Sequence, residues 1–170
     1  MTVLVDDARW EWRGLQWAHL VSDQSYDELH DFARSLGKRR LGFQGDHYDI
    51  DSVDRARALD FGARHVDSRE LVRRLREAGL RNRHGKPTWE RLGSWPSGTA
   101  PSDLPEPLLR RAHSLEIDTT TADTALFADP VQRVLLCDLP ARMSIPAEAS
   151  EVATGRRSDG SWSIELFHPT

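Results

Sequence analysis

The residues of this chain best suited to chemistry fall at the ends of two short extended segments. Asp6 and Asp7 close the apolar run Thr2-Val3-Leu4-Val5, and Asp46-His47-Tyr48-Asp49 follows Leu41-Gly42-Phe43-Gln44-Gly45. Carboxylates at the carboxyl ends of strands in an open α/β sheet stand where ligands tend to bind. Oxygen ligands alone suit Mg²⁺ or Mn²⁺, and added imidazoles move the preference toward Zn²⁺, Mn²⁺ or Fe²⁺. If the segments ending at Asp6 and Gln44 are neighbours, Asp6, His47 and Asp49 converge as metal ligands. Asp7, His19 or His30 then supplies a further ligand or a general base, and the catalytic roles are assigned to Asp7 and His19. A structural role competes at each position. His19 shares a strand face with Trp17 and Val21, as a hydrogen-bonded core histidine would. Asp23 reads as a turn former or cap, and His30, one position off an apolar helix stripe, as a half-buried histidine bonded to a carbonyl.

A second set of residues is basic. Arg69, Arg73, Arg74, Arg76, Arg81, Arg83, His84 and Lys86 run along the outer face of a helix and beyond it, and Lys38-Arg39-Arg40 adds to them. Such a strip is either a solvated helix face or a surface for substrate phosphates or nucleic acid, with Arg73, Arg74 and Arg76 at its centre and Trp89 and Trp95 as stacking platforms. Gly42-Phe43-Gln44-Gly45 lacks the Lys-Ser/Thr of a phosphate loop, and neither a Gly-x-Ser-x-Gly elbow nor a Cys-x-x-Cys pair occurs. No organic cofactor is indicated.

The elements that must position these groups can be read from periodicity and caps. Thr2–Val5 and Trp17–Val21 read as strands, with Arg9–Gly14 an aromatic, charged loop between them. Ser25 with Glu28 forms a capping box for a first helix carrying Leu29, Phe32, Ala33 and Leu36, which Gly37 ends. A second helix starts near Ser52 and runs to Phe61, and Arg64–Val66 is a short strand. Asp67 with Glu70 opens a third helix, with Leu71, Val72, Leu75 and Ala78 inward and Gly79 as its stop. The expected fold is α/β: a small sheet with three flanking helices over residues 1–83, a Pro/Gly-rich linker or wrapping arm over 84–107, and a small α+β appendage over 108–170. In the appendage, 106–113 and 121–128 read as helical, 131–136 as a strand, and Ser158-Asp159-Gly160-Ser161 as the turn of a closing hairpin.

Composition bounds the function. In 170 residues, with 38% hydrophobic and 29% charged, the apolar residues fall in periodic blocks that can build a core. The net charge of −4 supplies no global attraction to nucleic acid or anionic lipid. The single cysteine, Cys137, excludes an intrachain disulfide and reads as a small buried hydrophobe, which with the acidic N-terminus points to a cytoplasmic protein. No segment is long and apolar enough for a membrane span, and nothing in the sequence sets an oligomeric state.

Taken in order, Val5-Asp6-Asp7, His19-Leu20, Ser22-Asp23, Glu28-Leu29-His30, Phe43-Gln44, His47-Tyr48-Asp49, Gly62-Ala63 and Arg69-Glu70-Leu71-Val72 resemble the uncharacterised bacterial and phage family called domain of unknown function 4031. The resemblance spans about Thr2 to Arg83 and implies a compact domain without an assigned activity. From the residues, the expected function is a metal-assisted hydrolase of a phosphoester or nucleotide, holding Mg²⁺, Mn²⁺ or Zn²⁺. The alternative is a non-catalytic module that binds nucleic acid or protein through the basic helix face and the Trp-bearing arm. A metal-free acid–base pair of His47 and Asp49 is a third reading.

Overall fold

Alternation along one strand organises the N-terminal part of the chain. In Leu15–Ser22 (β3), Ala18 and Leu20 turn to one face while Trp17, His19 and Val21 turn to the other. The computed structural model describes residues 2–85, 88–141, 143–144, 152–156 and 161–170. It divides into two units, Met1–Pro87 and Thr88–Thr170, each with its own sheet.

In the first unit β3 is flanked on both edges. Val3–Val5 (β1) pairs antiparallel with its C-terminal half and Trp10–Trp12 (β2) with its N-terminal half. Tyr48–Asp51 (β4) pairs antiparallel along Trp17–Leu20. Trp17 faces both Trp10 and Asp51, and Leu20 both Val5 and Tyr48, so β1 and β2 share one edge of β3 and β4 takes the other. Arg64–His65 (β5) joins β1 in parallel. The segment expected to be an aromatic loop is therefore largely strand. Trp10 and Trp12 pair with Trp17 and Leu15, and the loop shrinks to Arg13-Gly14, both at positive φ as a tight hairpin turn requires.

Three helices cover this sheet. Tyr26–Ser35 (α1) and Ser52–Asp60 (α2) pack on the face of Val3, Val5, Ala18, Leu20, Tyr48 and Ile50. Each fully buried aliphatic side chain there stabilises the fold by about 1.5–3 kcal/mol. Ser68–Glu77 (α3) lays Leu71 and Leu75 on the opposite face, against Leu4, Val21 and Val66. The caps are side-chain acceptors, as expected for Ser25 and Asp67, and Asp51 adds a cap for α2 that the sequence reading did not name. Ser25 accepts from Glu28 N–H, Asp51 from Val53 and Asp54 N–H, and Asp67 from Arg69 and Glu70 N–H. The acids of the two capping boxes also serve other donors: Glu28 accepts from Ser22 Oγ and Thr2 N–H, and Glu70 from the charged Arg73 and Arg74 guanidinium groups one turn along the helix.

The second unit is an antiparallel sheet in the order β6-β7-β8-β10-β9, made of Glu90–Trp95, Thr124–Ala128, Gln132–Leu139, Trp162–Pro169 and Val152–Arg156. Glu106–Ser114 (α4) packs on β10. Two expectations are corrected here. The segment read as helical over 121–128 contains strand β7, because its Thr-Ala-Leu-Phe-Ala run finds partners on both edges. Within the expected arm 84–107, Glu90–Trp95 is a strand, with Trp95 packed on the apolar core of this unit. Strands β9 and β10 pair as the closing hairpin requires; residues 158–160 of its turn, like Lys86, lie outside the described residues. Cys137 is fully buried, which pushes its thiol up to about 12. Among the described residues no helix is long and apolar enough to cross a membrane.

His30 is a core residue. It is 7% exposed, with Nδ1 2.8 Å from the Tyr48 hydroxyl and its ring against Phe43. Burial, with Arg40 and Arg34 nearby, pushes its pKa from 6.5 down to about 3. The unfolded chain therefore takes up a proton that the folded protein refuses, and stability falls as pH drops from about 6.5 toward 3. Urea unfolding should lose up to about 2 kcal/mol between pH 7 and 5, and His30→Gln should remove most of that dependence. Equal slopes for the two proteins would show that His30 does not fold in the neutral state.

Candidate metal centre

The face of β3 opposite α1 and α2 is only partly covered. Helix α3 seals the end bearing Leu4 and Val21. Register sets His19 opposite Asp49 and Trp17 opposite Asp51, and His47, two residues before Asp49, shares their side. His19, His47 and Asp49 are all partly exposed there, and their ligand atoms lie within 4.8 Å of one another.

Each imidazole is held from behind by a buried carboxylate. His19 Nδ1–H donates to Asp6 Oδ2 at 2.8 Å, and His19 N–H donates to Asp6 Oδ1 at 2.7 Å. Ser68 Oγ, at the first residue of α3, donates to Asp6 Oδ2 at 2.7 Å. His47 Nδ1–H donates to Asp46 Oδ1 at 2.6 Å. Asp46 also accepts from Asn82 N–H at 2.9 Å and from the Arg81 guanidinium. Asp6 and Asp46 are 1% and 2% exposed, so neither carboxylate faces solvent. A carboxylate can only accept, so it fixes the tautomer with the proton on Nδ1 and leaves Nε2 to face outward. The two rings meet edge to face, 5.1 Å between centroids, and Trp10 lies against His19 at 4.5 Å.

His47 Nε2 is 3.4 Å from Asp49 Oδ1. On the tautomer set by Asp46, both atoms are acceptors, and two acceptors hold that spacing only with a proton or a cation between them. A tetrahedral ion with bonds of about 2.1 Å places its ligands about 3.4 Å apart. Burial works against the charged His47 ring, yet hydrogen bonds to Asp49 and Asp46 outweigh it and its pKa lies above the ordinary value. For Asp6 and Asp46 burial works upward, but the donors around each carboxylate prevail and hold both below the usual carboxyl range.

The structure thus brings together His19, His47 and Asp49 and rearranges the roles expected of their neighbours. Asp6, expected as a ligand, has both oxygens committed to His19 and Ser68, because β3 lies between β1 and β4 and separates Asp6 from Asp49. It is a positioning residue. His19, expected as a catalytic residue, presents a ligand atom. Asp7, also expected to be catalytic, is engaged elsewhere: it accepts from Arg9, Arg55 and His65 at 2.6, 3.3 and 2.8 Å. Of the expected phosphate-binding arginines, Arg73 is held by Glu70 and Glu77 and Arg74 by Asp23 and Glu70, while Arg76 is exposed. Ser68 is the functional residue the sequence reading missed, while Asp46 and Arg81 were named, in the His-Tyr-Asp segment and the basic strip, without their supporting roles. Only Asp46 carried a signal for its role, as the neighbour of His47; Arg81 reaches it across 35 residues of chain.

Residues 3–78 match the family model described as "Protein of unknown function (DUF4031)", as the ordered motifs led us to expect. The match contains all three candidate ligands with Asp6, Asp46 and Ser68, and stops short of Arg81. No curated protein and no solved structure matches the chain.

Because Asp6 collects three donors inside the fold, Asp6→Asn should destabilise the protein by about 2–3 kcal/mol in urea, and Ser68→Ala, which removes one donor, by about 1 kcal/mol. Equal losses for the two variants would contradict the central place given to Asp6.

Proposed function

We propose that the N-terminal unit, the part that carries the DUF4031 match, is a divalent-metal-dependent hydrolase acting on a phosphoester, with the ion held by His19, His47 and Asp49. The observation that carries this reading is the 3.4 Å approach of His47 Nε2 to Asp49 Oδ1 beside a second imidazole, with both rings anchored by buried carboxylates. Two imidazoles and one carboxylate suit Zn²⁺ before Mg²⁺, and three protein ligands leave at least one position open to water or substrate. The ion would supply Lewis acidity, both to a water and to the oxygen of the ester.

The chain's own residues supply the rest. Asp6 and Asp46 keep the proton of each imidazole on Nδ1 and the ring in one orientation, with Nε2 outward, and the donors on each carboxylate favour its ionised form. Trp10, against the His19 ring, shields one flank from water. Near the end of β1, Arg9 and Arg55 pair with Asp7. Hydrolysis adds water across the ester: the oxygen bonds to phosphorus, the phosphorus–oxygen ester bond breaks, and the leaving oxygen takes the proton.

Elemental analysis of protein dialysed against Zn²⁺ should find one equivalent, lost in His19→Ala, His47→Ala and Asp49→Ala. Asp6→Asn and Asp46→Asn should weaken binding by about 10–100-fold. Hydrolysis of bis-p-nitrophenyl phosphate should follow metal content and stop with EDTA. A folded protein that takes up no Zn²⁺, Mn²⁺ or Fe²⁺ would overturn the assignment and leave the two Asp–His pairs as a purely structural network.

A further inference from the structure

The hairpin of β2 and β3 projects an aromatic track away from the candidate centre. Register puts Trp10 opposite Trp17 and Trp12 opposite Leu15, on the sheet face that also carries His19 and Asp49. From Leu15 to His19 this face runs about 13 Å. Trp12 and Leu15, adjacent at its outer end, are 54% and 43% exposed. Trp12 is not loose. Its ring meets Trp17 edge to face at 5.6 Å, and its carbonyl accepts from Trp17 Nε1–H at 3.0 Å. The Arg13 guanidinium lies over the Trp12 ring, 4.5 Å from its centroid.

Arg13 occupies the turn at φ 53°, a left-handed conformation that favours Gly or Asn. An arginine at such a position, aimed over an exposed indole, points to a use for its charge. An indole with a guanidinium beside it is the pairing on which nucleobases stack while the cation meets the phosphate. The inner end of the track reaches His19, whose ring already lies against Trp10.

We propose that this hairpin is the substrate arm of the same centre and that the substrate is single-stranded nucleic acid. A base stacks on Trp12, Arg13 meets the adjoining phosphate, and the next phosphate inward lies toward His19, His47 and Asp49. The proposal rests on the metal-dependent reading of that centre. It moves nucleic-acid recognition away from the α3 strip, whose Arg73 and Arg74 are neutralised, and away from Trp95, which belongs to the core of the second unit.

The test is fluorescence anisotropy of the full chain, loaded with Zn²⁺, against a labelled oligothymidylate, read beside Zn²⁺ content. Trp12→Ala should weaken binding about 10-fold or more. Arg13→Gly, which suits the positive φ and removes the charge, should weaken it severalfold and flatten its salt dependence, and both variants should keep full Zn²⁺ content. An oligonucleotide that fails to bind a Zn²⁺-loaded protein overturns the substrate class and leaves the metal centre standing. Binding that is indifferent to both substitutions overturns the arm. A protein that takes up no metal ion yet binds the oligonucleotide through Trp12 and Arg13 overturns the hydrolase instead. A dimer dissolved by Trp12→Ala, with no nucleic-acid binding, overturns the proposal in favour of self-association.

Discussion

A charge buried beside a sheet must be met by donors, and in this protein Asp6 imposes that constraint. Its carboxylate, at the end of β1, is shut away from water and accepts from the backbone and ring of His19 on β3 and from Ser68 at the start of α3. One side chain thus ties two strands and a helix, and the ties must all form together, because an unpaired buried carboxylate is costly. The same bonds select the tautomer and direction of His19. Orientation of the candidate ligand is a by-product of satisfying the buried charge.

Asp46 repeats the device on the other side of β3. Its donors come from His47 and from Arg81 and Asn82, beyond the end of α3. Residues 84 and 85, expected to open the linker, are consequently tied to the domain through Asn82. Asn82 also reaches Gly45 and Gly85, and a Cβ at Gly45 would lie 2.5 Å from the Gly85 carbonyl oxygen. Gly45 is thus required by close approach as well as by its φ of 105°. The two anchored imidazoles come within ring contact because His19 on β3 and His47, just before the adjacent β4, lie on the same side of the sheet.

Most other charges of the first unit cancel locally. Arg73 and Arg74 lie among Glu70, Glu77 and Asp23, Lys38 pairs with Asp54, and Asp7 is ringed by Arg9, Arg55 and His65. A run of arginines in a sequence carries no information about the acids that will face it, which come from elsewhere on the chain. The strip on α3 looked like a phosphate surface for that reason. The hairpin of β2 and β3 was hidden by the opposite effect. Trp10-Glu11-Trp12-Arg13-Gly14 has the length of a loop, and only pairing with Leu15–Trp17 makes it a strand and a turn.

Local rules were enough to place the helices, their caps and the α/β class. Ser25, Asp67 and the Leu29/Phe32/Ala33 and Leu71/Leu75 stripes act through neighbours three or four residues away, so periodicity and cap chemistry read them directly. The motif set that marks the DUF4031 match was legible for the same reason, as an ordered string. The sequence also singled out Asp6, His19, His47 and Asp49 as polar residues at strand ends, but it could not divide them into ligands and supports. That division depends on strand order: with β3 between β1 and β4, His19 must lie between Asp6 and Asp49, and the role of each follows from its neighbour across the sheet. In the second unit the same limit turned a helical reading of 121–128 into a strand, because the pairing partners of β7 are set by the sheet and not by the residues next to it. Contacts between residues distant in sequence are what only the tertiary structure decides.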